Sequence, residues 1–154
     1  MHDDDEAPGL DRFVKMQDMS YQDAITELRR GAKRTHWMWF IFPQLAGLGR
    51  SKIARTYAIV DLAEAAAYLK HPVLGARLVE CANAVLAISG RTAREIFGKP
   101  DDMKLRSSAT LFARVSAPDS VFERVLERYF SAVPDERTVE LLERGGGEAS
   151  RTVG

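Results

Sequence analysis

From Leu10 to Leu142 the apolar residues recur at intervals of three and four, and a strict apolar–polar alternation is nowhere sustained. Helix starts punctuate this pattern. Ser20 with Asp23, Asp61 with Glu64, Thr92 with Glu95 and Ser120 with Glu123 all place a side-chain acceptor just ahead of an acid. That arrangement satisfies the first free amides of a helix and complements its positive end. Gly31, Pro72, Gly90 and Gly98 supply stops.

The spacing predicts a short helix over Leu10 to Met16 and a second from Ser20 to Gly31 with Tyr21, Ala24, Ile25 and Leu28 on one face. Asp61 opens a helix that Pro72 ends. The next helix buries Leu74, Leu78, Cys81, Ala82 and Val85. A short turn follows at Thr92–Phe97, then helices from Pro100, from Ser120 and from Asp135 or Glu136. Trp37 to Phe42 has the composition of a strand, but no partner strand is evident. The fold class is therefore all-α, a single globular domain of about seven to eight short-to-medium helices.

Residues 1–9, rich in Asp and closed by Pro8-Gly9, read as a disordered acidic tail. Residues 145–154, opening on three glycines, read as a flexible C-terminal tail, which leaves 10–144 as the helical domain. A chain of 154 residues can bury a core without covalent staples. Cys81 is the only cysteine, so neither an internal disulfide nor a cysteine-rich zinc site is expected, and a reducing, cytoplasmic setting fits. No apolar run reaches the roughly 20 residues needed to cross a bilayer. Balanced formal charge argues against a nucleic-acid-coating role. No metal or cofactor is called for: there is no His-x-x-x-His or Cys-x-x-Cys pair, and no Gly-x-Ser-x-Gly elbow.

Charge is balanced overall but not locally. Between Glu27 and Asp61 there is no acid, while Arg29, Arg30, Lys33, Arg34, His36, Arg50, Lys52 and Arg55 surround the run His36 to Pro43. Both tryptophans lie there. Trp37, Phe40 and Ile41 suit a core. His36, Trp39 and a nearby Arg would suit a cleft that stacks a planar ring, worth about 1–3 kcal/mol per stacked base. Gly47-Leu48-Gly49-Arg50-Ser51 reads either as a turn with Ser51 as helix cap or as a phosphate cradle aided by Arg50 and Arg55. A third segment runs from Asp101 to Thr110. Two serines and a threonine in a helix interior point either to close packing or to a polar pocket wall. On the second view Lys104 holds an anion, Ser108 lies on the same face, and Asp101 or Asp102 is an acid or base. His71 suits a helix cap, and Cys81 suits a buried, unreactive position.

The stretch Lys33 to Leu45, with HWMWFIFPQ at its centre and Gly47-Leu48-Gly49-Arg50-Ser51 after it, closely resembles a bacterial all-helical domain-of-unknown-function family, number 1810. Its members are sometimes mislabelled calpastatin. His71-Pro72-Val73-Leu74-Gly75, Glu95-Ile96-Phe97-Gly98 and Asp101 to Ser108 with Thr110-Leu111-Phe112 resemble the same family, so the likeness runs from about Leu10 to Leu142. The resemblance implies an all-helical single domain and no established activity. A fainter likeness, in the rhythm of Lys104 to Phe112, is to NADAR-type helical domains that act on ADP-ribose conjugates.

Three functions are expected from these residues. The first is a module that binds a small anionic or nucleotide-like ligand through His36, Trp39, Arg50, Ser51, Arg55, Lys104 and Ser108, with His36, Trp39, Arg50 and Lys104 converging on one pocket. The second is a hydrolase of ADP-ribose-type N-glycosidic conjugates, which needs a desolvated carboxylate from Glu95, Asp101 or Asp102. The third is a protein-interaction domain whose exposed aromatics meet a partner.

Overall fold

Pro72 and Gly75 set up a close junction between two helices, and the second of these packs against three others. In a computed structural model that describes residues 9–153, with side chains as far as Gly145, the described residues form nine helices. These are α1 (Asp11–Arg29), α2 (Met38–Ile41), α3 (Lys52–Thr56), α4 (Leu62–Lys70), α5 (Leu74–Ala87), α6 (Ala93–Phe97), α7 (Asp101–Ala113), α8 (Val121–Phe130) and α9 (Glu136–Val153). Helix α5 packs against α1, α4 and α8, while α7 packs against α4, α6, α8 and α9. The architecture is all-α.

Side-chain caps account for several boundaries. Ser51, Asp61, Thr92 and Ser120 each accept a hydrogen bond from the amide three residues on, and Thr92 with Glu95 completes a reciprocal capping box. Asp135 receives the Thr138 amide and hydroxyl at the start of α9. His71 ends α4 and caps the start of α5, its Nδ1 accepting from the amides of Val73 and Leu74.

One expectation needs correction. Ser20 does not start a helix: its hydroxyl donates back to the Met16 carbonyl at 2.7 Å, and α1 runs unbroken because nothing from Met16 to Met19 interrupts it. The strand-like run contains the single turn α2, since no neighbouring strand exists among the described residues to pair with it. The chain then extends only far enough for a lone parallel bridge between Leu45 and Ile59. Helix α9 spans Glu136–Val153. Residues 1–8 of the expected N-terminal tail lie outside the described residues.

A chain of aromatic contacts runs through the core. Tyr57 meets Phe40 and Phe13, Phe13 meets Tyr68, Tyr68 meets Phe112, and Phe112 meets Phe122, with ring centroids 4.9 to 5.9 Å apart. Gln17 lies buried beside this chain. Its amide donates to the Phe40 carbonyl at 2.7 Å and to the Tyr68 hydroxyl at 3.0 Å, which ties α1 to α2 and α4. Arg12 clamps α1 to the segment before α4, donating to the carbonyls of Gly9, Thr56 and Ala58 and pairing with Glu64 at 3.3 Å.

A Cβ on Gly75 would lie 2.0 Å from the Leu69 carbonyl oxygen at the end of α4. Inside a helix, Gly→Ala ordinarily gains up to about 1 kcal/mol. Here the overlap with backbone outweighs that gain. Gly75→Ala is expected to destabilise the fold by about 2 kcal/mol or more, read from urea denaturation midpoints; a neutral or stabilised variant would show that α4 and α5 separate easily.

Candidate functional site

Gly31, at φ +78°, ends α1 and turns the chain back across its own last turn. That reversal wraps residues 34–37 around Glu27, which is 8% exposed. Glu27 Oε1 accepts from the Arg34 amide at 2.7 Å, the Thr35 amide at 3.0 Å and the Trp37 indole at 2.9 Å, while Oε2 accepts from the Thr35 hydroxyl at 2.6 Å. Burial by itself would push this carboxyl up. The hydrogen bonds from the Thr35 hydroxyl, the Arg34 and Thr35 amides and the Trp37 indole outweigh it and hold the carboxyl at about 2, below its ordinary 4.5. The acid that borders the acid-free segment therefore organises that segment.

Once the loop is held, its side chains are aimed. The Lys33 amide donates to the Ile96 carbonyl at 2.7 Å, and the Lys33 ammonium lies 5.1 Å from the Trp37 ring. Its Nζ donates to the Thr35 carbonyl at 2.6 Å and pairs with Asp101 at 2.9 Å. Asp101 sits in the first turn of α7, where the helix dipole favours an acid, and its other oxygen is 3.3 Å from Lys104 Nζ. Lys104 Nζ in turn lies 4.7 Å from the centre of the half-buried Trp39 ring. The order in space is Trp37, Lys33, Asp101, Lys104, Trp39: ring, cation, anion, cation, ring.

Asp101, Lys104 and Ser108 follow one another at i, i+3 and i+7 along one face of α7. Ser108 is 1% exposed, and its hydroxyl is the one buried side-chain polar atom without a hydrogen-bond partner among the described residues. Thr110, two residues on, is fully engaged: its hydroxyl donates to the Arg106 carbonyl and accepts the Asp135 amide. Ser108 lacks even the bond to the carbonyl four residues back that Thr110 and Ser116 make.

Trp39 and Lys104 come together, with Ser108 one turn further along α7. His36 is exposed beside Thr35. Arg50, Ser51 and Arg55 are exposed and form no hydrogen bond or ion pair with this series among the described residues. Ser51 acts as the cap of α3, accepting from the Ala54 amide at 3.1 Å. The glycines before it have packing reasons as well: Gly47 is at φ +103°, and a Cβ on Gly49 would lie 2.5 Å from the Ala54 Cβ.

The carboxylates that a hydrolase would need are otherwise occupied. Glu95 is exposed and caps α6, Asp101 is ion-paired twice, and Asp102 receives the Met103 amide. Cys81 is buried, and burial pushes its thiol up to about 12, so it stays protonated. Among the described residues no group of three or more His, Cys, Asp or Glu is placed to hold a metal ion. No described helix is long and apolar enough to cross a membrane. Among the described residues the exposed large apolar side chains are Met19, Val60, Val73, Val79, Met103 and Val133, with no aromatic among them.

Residues 7–142 match the model of the family described as a protein of unknown function, DUF1810. The chain belongs to that family. It is also similar to the crystal structure of the conserved hypothetical protein Rv1873 from Mycobacterium tuberculosis, at 51% identity and a TM-score of 0.85, over 87% of this chain and 96% of that one. No curated relative matches.

Sequence reasoning passed over Glu27 and gave Lys33 no site role. Glu27 has a weak signal: it is the last acid before a long basic stretch and lies one turn from a helix-ending glycine. Because the Glu27 carboxyl is depressed in the folded state, its stabilising effect is complete above about pH 4.5 and is lost as pH falls toward 2. Glu27→Gln puts an amide donor among donors. At pH 7 it is expected to lower unfolding free energy on the order of 3 kcal/mol, with the gap to wild type closing between about pH 5 and pH 2. Urea melts across that range check this; a gap independent of pH would contradict the charge-based account.

Proposed function

We propose that this protein is a ligand-binding domain that holds a small anionic, nucleotide-like molecule at the face formed by Trp39, Lys104, Asp101 and Lys33. The observation that carries this reading is the Ser108 hydroxyl, buried on the same α7 face as Asp101 and Lys104 and left without a partner. Such a group costs about 1–3 kcal/mol, and alanine would fit the helix better. A hydroxyl kept at that cost is accounted for if ligand binding shifts the side chains that cover it and the ligand completes its hydrogen bond.

The charges support the same reading. Two ammonium groups share one carboxylate, so the cluster keeps positive character beside a ring that is only half buried. An incoming phosphate would compete with Asp101 for the lysines, while a planar group would lie against Trp39. His36, exposed and next in sequence to Thr35, is kept in the proposed contact set as a further donor. Arg50, Ser51 and Arg55 are left out of the proposed contact set.

Ser108→Ala separates binding from scaffold. The variant is expected to be as stable as wild type or slightly more so without ligand, and to lose most of the stabilisation conferred by millimolar ADP or ADP-ribose, which follows RT ln(1 + [L]/Kd). Trp39→Phe should remove the accompanying change in tryptophan fluorescence, since Trp37 is enclosed. Thermal melts and fluorescence titrations with phosphate, ADP and ADP-ribose provide the comparison. No anion-dependent shift in wild type, or a clear loss of ligand-free stability in Ser108→Ala, would refute the proposal.

A further inference from the structure

A second basic concavity lies at the other end of the loop that Glu27 organises. The C-terminal ends of α1 and α5 meet there around a cavity of about 660 Å³, within the size range of small-molecule sites. Arg29, Arg30 and Arg91 line it together with Asn83 and Ser89, and Glu80 is the one acid in its wall. Ala84 and Ile88 contribute an apolar floor, and no aromatic residue takes part.

Basic residues at helix C-termini are expected, because they neutralise the negative dipole end and cap free carbonyls. That role is already filled. Arg91 donates to the Gly31 carbonyl at 2.9 Å, Arg128 donates to the Ile88 carbonyl at 2.8 Å, and the Tyr129 hydroxyl serves the Val85 and Ile88 carbonyls. Glu80 is also committed, with one oxygen taken by the Tyr21 hydroxyl and the other by Arg29 at 3.3 Å. Arg30 is exposed, and its guanidinium has no hydrogen-bond or carboxylate partner among the described residues. Three guanidiniums therefore face a single, already engaged carboxylate across a concave surface.

From this arrangement we infer that the α1–α5 cavity is a binding site for the phosphate group of a small phosphorylated molecule, separate from the Trp39–Lys104 face. Guanidinium forks match phosphate oxygens two at a time, and Asn83 and Ser89 add neutral donors at the same wall. With no ring to stack on, the site recognises the phosphate and not a base. The anion would relieve the repulsion among the arginines without displacing the bonds that cap the helices.

Inorganic pyrophosphate is the probe, titrated at constant ionic strength adjusted with sodium chloride. Binding is followed by calorimetry and by backbone amide shifts at Gly31, Asn83 and Ser89. The expected result is saturable shifts at Gly31, Asn83 and Ser89 in wild type, weakened roughly tenfold or more in Arg30→Gln, the loss expected for a charge-assisted hydrogen bond, and unchanged in Arg50→Gln, an exposed arginine outside both contact sets. Because Arg30 is exposed and its guanidinium unpartnered, its replacement leaves the fold intact, which circular dichroism verifies. Absence of saturable binding in wild type overturns the inference. So does an undiminished response of Gly31, Asn83 and Ser89 in Arg30→Gln, or an equal loss in Arg50→Gln, which would mark a non-specific effect of charge.

Discussion

Glu27 keeps a negative charge in a place from which water is largely excluded, and four donors converge on it from a stretch of only four residues. Charge-assisted hydrogen bonds of this kind are about twice as strong as neutral ones. They replace the hydration that the carboxylate gives up, and they convert a glycine-ended turn into a fixed loop. The Trp37 indole is drawn inward by the same carboxylate, into contact with Phe42 and Phe97. Everything proposed about function depends on this one anchor, because it decides which way Lys33 and Trp39 face.

The anchor works because both sides of it are rigid. Helix α1 is tied to the core through Gln17 and Arg12, and α7 is held on four sides by α4, α6, α8 and α9. Lys33 reaches from the loop to Asp101 at the head of α7. Its ammonium is buried there, which is tolerable only because a carboxylate and a carbonyl oxygen share it. An ion pair in that position contributes less to net stability than to fixing one arrangement of loop against helix. The cluster can thus be a structural latch and still present Lys104 and Trp39 toward solvent.

Much of the fold was legible as local chemistry. Asp61, Thr92, Ser120 and Asp135 cap the helices they precede, His71 and Pro72 separate α4 from α5, and Cys81 falls on a buried face, all of which depend on residues a few positions apart. The Ser20 signal misled because the same hydroxyl can cap a helix or bond back within one, and only the neighbouring turn decides. The aromatic run was ambiguous because a strand needs a partner that composition does not reveal. The site was half legible. Lys104 and Ser108 share a face by spacing alone, but the meeting of Lys33 with Asp101, and of Lys104 with Trp39, joins segments more than sixty residues apart. In sequence Arg50 and Arg55 drew a binding role and Lys33 did not, although all three belong to the same basic stretch. Only the turn at Gly31 and the pull of Glu27 distinguish them.

Hydrogen exchange of the Trp37 indole tests the central claim most directly. If the Glu27 carboxylate holds that N–H in a buried bond, its proton exchanges far more slowly than the Trp39 indole proton. The Arg34 and Thr35 amides should share the protection, and all three should retain it from pH 7 down to about pH 4. Equal exchange at the two indoles, or protection lost by pH 5 while the fold persists, would show that Glu27 does not organise the loop.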